Sequence, residues 1–136
     1  MTEATRKSSA TIMVLEPDIL ARMAISEYLR GCGFKVVEGV RAEDALTVLR
    51  SGMAIDVVLA EVRMAGELDG LELAKQIRDG YPGTDIILTV GVGNAADRAA
   101  KLCNEGPLKK PFHPRELVTR IQLLRERRRT ASTSSE

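Results

Sequence analysis

The chain predicts an α/β domain built on a doubly wound, five-stranded parallel sheet. Short uninterrupted apolar runs, the pattern of strands buried on both faces, recur along the sequence. Amphipathic segments of helical period alternate with them. The resulting strand–helix–strand crossovers are right-handed and cover both faces of a sheet. Length agrees, because 136 residues, 44% of them hydrophobic, fit one compact domain.

The elements follow in order. Thr11-Ile12-Met13-Val14-Leu15 is the first strand, closed by Glu16-Pro17. Pro17 suits the start of a helix, where its missing N–H costs nothing. Ile19, Leu20, Met23, Ala24 and Leu29 are expected to form that helix's buried face. Gly31-Cys32-Gly33 ends it, since glycine accepts the left-handed conformation common just past a helix. Residues 34–38 read as the second strand and 42–49 as a helix with Ala42, Ala45, Leu46 and Leu49 inward. Residues 55–60 form the third strand, with Glu61 at its carboxyl end. Asp69-Gly70 opens a third helix carrying Leu71, Leu73, Ala74 and Ile77, and the Gly- and Pro-rich stretch 79–83 stops it. Residues 85–90 are the fourth strand, 95–103 a fourth helix and 108–110 a short fifth strand. Pro114 starts the last helix, with Leu117, Ile121 and Leu124 inward. The expected organisation is a disordered N-terminus 1–9, one domain 10–128, and a disordered tail 129–136.

Composition excludes several classes. The longest apolar runs are about five residues, far short of the roughly 18 that suggest a membrane span. The polar first ten residues do not resemble a secretory signal, so a cytoplasmic location is expected. Twenty basic and 19 acidic residues nearly cancel, which argues against a general nucleic-acid-binding surface. Arg125, Arg127, Arg128 and Arg129 are expected to occupy a helix's last turn and meet the negative end of its dipole. An acidic or nucleic-acid partner is the other reading. Cys32 and Cys103 fit no metal-ligand spacing and read as reduced thiols. Gly91-Val92-Gly93-Asn94-Ala95-Ala96 matches a weak dinucleotide fingerprint, but it follows the fourth strand and lacks the acid expected about 20 residues on. His113 reads as a surface turn residue.

In open parallel sheets, ligands bind outside the carboxyl ends of the strands. Glu16, Glu61, Thr89 and Lys110 all fall there. Two carboxylates, a hydroxyl and an ammonium at one sheet edge suit either a divalent cation or phosphoryl group, or a mutually satisfied ionic network.

At this point the chain resembles a known family from Thr11 to about Arg127, the receiver domain of bacterial two-component response regulators, a flavodoxin-like (βα)5 fold. The resemblance is carried by Ile12-Met13-Val14-Leu15-Glu16, by residues 56–66 with Asp69-Gly70-Leu71-Glu72-Leu73, by Ile86-Ile87-Leu88-Thr89 and by Lys110-Pro111-Phe112, in order and at the family's spacing. It implies that Glu61 stands at the phosphoacceptor position, Glu16 in the acidic pocket, and Thr89 and Lys110 at the phosphate site. It also implies magnesium ligation by Glu16, Glu61 and the backbone carbonyl of Arg63. The pattern is incomplete. Pro17 replaces the second acid of the pocket, Asp18 belongs to the start of a helix, and Pro107 stands where the family carries a switch aromatic.

Glutamate at position 61 adds one methylene to the family's aspartate, moving the carboxylate outward by about 1.5 Å. Phosphoryl transfer depends on positioning, and a displacement near 1 Å can cost about 100-fold. The resemblance with these departures implies a stand-alone atypical receiver, not an enzyme, that acts by protein–protein interaction with impaired or absent aspartyl phosphorylation. It needs no cofactor, and magnesium binding is weak at most. The alternative is a magnesium-dependent phosphoacceptor regulator served by a histidine kinase. Glu61 either mimics the activated state by reaching Lys110, or forms an inert ion pair. Implied partners are a histidine kinase, a phosphorelay protein or a downstream regulator. Homodimers through the face formed by residues 95–103 and 108–124 are a further expectation.

Overall fold

A computed structural model describes residues 10–64, 66–90 and 108–134. Five parallel strands form one sheet in the order β2-β1-β3-β4-β5: β1 Thr11–Leu15, β2 Lys35–Gly39, β3 Val57–Glu61, β4 Asp85–Val90 and β5 Leu108–Lys109. The helices are α1 Ile19–Gly31, α2 Ala42–Arg50, α3 Gly70–Gly80 and α4 Pro114–Ser134. The helix expected over 95–103, the loop glycines Gly91 and Gly93, Cys103, Pro107 and the N-terminal stretch 1–9 lie outside the described residues.

The central strands alternate between two cores, as a sheet covered on both faces requires. Met13, Leu15, Val58, Ala60 and Leu88 pack with α2 and α3, whereas Ile12, Val14, Val57, Leu59 and Ile87 pack with α1 and α4. Strand order reverses between β1 and β3, so the crevice of a doubly wound sheet opens where Glu16 and Glu61 stand. Glu61 is the last residue of β3 and pairs with Thr89 of β4, which brings those two positions into register.

Helix α1 buries a different face from the one expected. Ile19, Leu20 and Met23 are 60%, 76% and 48% exposed, while Ile25, Ser26 and Leu29 are buried. The buried stripe runs through Arg22, Ile25, Ser26 and Leu29, at helical spacing i, i+3, i+4 and i+7. Arg22 holds a stripe position because its guanidinium finds partners there; Leu20 and Met23 fall on the opposite side. Asp18 caps this helix, its carboxylate accepting the Leu20 N–H at 3.1 Å, so the helix starts two residues after Pro17.

The chain's end also differs. Helix α4 runs to Ser134, through residues 129–134 expected to form a disordered tail, so the arginine cluster does not occupy its last turn. Two of these arginines, Arg125 and Arg128, instead reach tertiary partners. Arg125 binds Asp56 at 2.9 Å, and Arg128 binds Asp85 at 2.6 and 3.1 Å and the Pro82 carbonyl at 2.8 Å. These contacts fasten the helix to the amino-terminal edge of the sheet, opposite the acidic crevice. No helix is long and apolar enough to cross a membrane among the described residues.

Candidate functional site

Three polar side chains meet at the carboxyl ends of β1, β3 and β5. Glu16 directly follows β1, where its N–H donates to the Gly39 carbonyl at 3.1 Å. Lys110 follows β5, and its N–H extends the pairing of that two-residue strand by donating to the Val90 carbonyl at 2.8 Å. Its ammonium lies between the two acids, donating to Glu16 Oε1 at 3.1 Å and in close contact with Glu61 Oε1. The Lys110–Pro111 peptide is cis.

Glu16 is the most deeply held member, 5% exposed. Its other oxygen, Oε2, accepts the Asp18 N–H at 3.1 Å, and its carbonyl accepts Arg22 Nη1 at 2.7 Å. Burial alone would lower the Lys110 pKa, but the hydrogen bonds and charges of Glu61 and Glu16 outweigh it and hold the lysine above its ordinary value. Lys110 is therefore a permanent cation at any physiological pH.

Thr89 is buried, and its hydroxyl donates to the Ala60 carbonyl at 3.4 Å, a long bond to the neighbouring strand. Its register with Glu61 brings the backbones together, while its hydroxyl turns to that carbonyl. Arg63 is exposed in the turn after β3. Sequence reasoning missed Arg22, which sits in α1 where a polar residue reads as solvent-facing. Its signal was its spacing of three and seven residues from Ile25 and Leu29.

The magnesium that the resemblance implies does not suit this donor set. Magnesium needs near-octahedral oxygen ligation at about 2.0–2.1 Å and is held through one or two carboxylates plus water. Here both candidate carboxylates already hold an ammonium, Pro17 offers no side-chain oxygen, and the Asp18 carboxylate is turned into the start of α1. No group of three or more His, Cys, Asp or Glu side chains that could hold a metal is found among the described residues.

Beside the cluster lies a cavity of about 540 Å³, lined by Ala21, Ala24 and Ile25 of α1 on one side and Pro111, Phe112 and Pro114 on the other, with Glu16 and Lys110 also on its wall. The exposed side chains of Ile19, Leu20 and Met23 belong to the same helix.

The model of the response regulator receiver domain matches residues 12–122. Response regulator protein FleR of Pseudomonas aeruginosa is 35% identical over 113 residues, covering 81% of this chain and 23% of that protein. Transcriptional regulatory protein AruR of the same organism is 32% identical over 130 residues, covering 91% of this chain and 52% of that protein. Protein PetR of Rhodobacter capsulatus is 31% identical, covering 85% and 48%. The chain thus spans about half, or less, of the length of these relatives. Among solved structures, a response regulator receiver protein from Sinorhizobium medicae aligns with a TM-score of 0.76 at 26% identity, covering 85% of this chain and 94% of that one. A receiver domain from Clostridium thermocellum shares the fold with a TM-score of 0.78 at 24% identity, covering 90% and 98%. With the family's model matched from β1 into the last helix, and the parallel strand order β2-β1-β3-β4-β5 in place, the chain belongs to the response regulator receiver domains of two-component signalling.

Proposed function

We propose that this receiver domain signals through protein–protein contact, with phosphoryl transfer to position 61 impaired or absent. The observation that carries this reading is the Lys110 ammonium seated between the carboxylates of Glu61 and Glu16. A carboxylate oxygen in contact with that ammonium is a poor nucleophile, and the extra methylene of Glu61 displaces it from the geometry an in-line transfer needs. Pro17 removes a further acid from the pocket.

The partner is proposed to be a histidine kinase, a phosphorelay protein or a downstream regulator. The exposed apolar side chains Ile19, Leu20 and Met23 support protein contact, because all three stand on the first turns of α1, the helix whose Ala21, Ala24 and Ile25 line the cavity. Incubation with radiolabelled acetyl phosphate and magnesium tests the chemistry. The wild type is expected to take up no stable label, and stable labelling of Glu61 would overturn the proposal. Glu61→Asp serves as the comparison that restores the family's side-chain length.

A further inference from the structure

We propose that Lys110 and Arg22 are built-in countercations of the acidic pocket, which is neutralised from within and takes no divalent ion. Internal neutralisation deepens the reading of the same site proposed above, and it adds a role for Arg22 and a cause for metal independence.

The charges form one connected chain. Lys110 joins Glu61 to Glu16, and Arg22 Nη1 grips the Glu16 carbonyl at 2.7 Å. Arg22 Nε then reaches Glu38 Oε1 at 3.3 Å, and Arg30 Nη2 reaches Glu38 Oε2 at 3.2 Å. Three carboxylates (Glu16, Glu38, Glu61) are thereby matched by three cations (Lys110, Arg22, Arg30) across β3, the turn after β5, β1, α1 and β2. The fourth acid nearby, Asp18, is committed to the amino end of α1, where the helix dipole favours it.

Burial sharpens the consequence. The Glu16 side chain is 7% exposed and the Arg22 side chain 16%, so neither charge is left to water. A carboxylate so placed needs a cation or a set of donors. Glu16 has both without an added ion: an ammonium on Oε1, an N–H on Oε2, and a guanidinium on its own carbonyl. A divalent cation entering between Glu16 and Glu61 would add two positive charges to a balanced network and would face the Lys110 ammonium at contact range. Displacing that ammonium would leave it without its two carboxylate acceptors. Arg22 is a positioning residue in this account: it holds the Glu16 backbone and so aims the carboxylate at Lys110.

Magnesium titration of the full chain, followed by backbone amide shifts, tests this with wild type, Lys110→Met and Arg22→Gln. Wild type is expected to show no saturable shift at residues 16, 18, 61 and 63 up to about 10 mM, well above the dissociation constants of weak protein cation sites. Lys110→Met should gain a saturable response there, tightening magnesium binding by about tenfold or more through loss of one like charge at roughly 4 Å. Arg22→Gln should shift the Glu16 amide and the Lys110 side-chain signal without any metal. A saturable wild-type response centred on residues 16 and 61 would overturn the proposal, as would a folded Lys110→Met as silent to magnesium as wild type. If Lys110→Met fails to fold, the wild-type titration and Arg22→Gln still decide the matter. Acetyl phosphate labelling of Glu61 without any magnesium response would defeat the signalling proposal and leave internal neutralisation standing.

Discussion

The carbonyl oxygen of Glu61 lies 1.9 Å from where a β-carbon on Gly70 would have to sit. Helix α3 therefore starts in direct backbone contact with the end of β3, and the Gly70 N–H seals the turn by donating to the Val62 carbonyl at 3.0 Å. Only glycine permits that approach.

Gly70→Ala is expected to destabilise the fold by about 1–3 kcal/mol or more, the usual range for forcing an extra carbon into a packed site. Urea denaturation gives the value. Because the clash is with a backbone atom of residue 61, the Glu61 amide signal should move more than those of the distant β2 edge.

The two ends of the Lys110 bridge should respond unequally. Lys110→Met leaves the buried Glu16 carboxylate with only the Asp18 N–H, and a loss of about 1–3 kcal/mol is expected. Glu61→Gln keeps the Lys110–Glu16 pair and should cost under about 1 kcal/mol. Equal losses in thermal or urea melts would contradict this account of the cluster.

Lys110 also sets a pH signature. Its pKa is raised in the folded state, so its contribution is complete below the unfolded value of about 10.4 and fades as pH rises through the folded value. The stability gap between wild type and Lys110→Met should stay constant near neutrality and close in strong alkali. Asp44 has the opposite sign: N–H groups of Arg41 and then Val40 hold its carboxyl below the ordinary value. Its contribution is present above about pH 3.9 and disappears as pH falls further, so Asp44→Ala should flatten the acid limb.

At the other edge of the sheet, a double-mutant cycle between Asp85 and Arg128 should give a coupling of about 0.5–3 kcal/mol. The Asp56–Arg125 cycle should give less, because Arg128 makes two bonds to its carboxylate and a third to the Pro82 carbonyl, whereas Arg125 makes a single one. Raising salt should reduce both.

The revised face of α1 makes a contrast. Leu29 is fully buried, and Leu29→Ala should cost about 2–5 kcal/mol. Leu20→Asp, at a side chain 76% exposed, should stay within about 0.5 kcal/mol of wild type while weakening partner capture.

The strands were legible because parallel strands buried on both faces write themselves as continuous apolar runs, and β4 falls on residues 85–90 as expected. The acids at the strand ends were legible for the same reason, since strand ends converge by topology. Helix α1 misled because Ile19, Leu20 and Met23 are apolar yet exposed, while Arg22 is charged and half-buried. The tail misled because arginines and small residues mark helix ends only when no tertiary partner claims them. Arg128 and Asp85 lie 43 residues apart, a relation no local window contains.

The ammonium of Lys110 meets Glu61 across 49 residues and Glu16 across 94. Contacts of such sequence separation must overcome loop-closure entropy before they contribute anything. A nascent chain that has emerged only as far as β4 carries Glu16 and Glu61 without their ammonium. The acidic crevice is thus closed by the final strand, and its ion cluster marks the moment at which the sheet is complete.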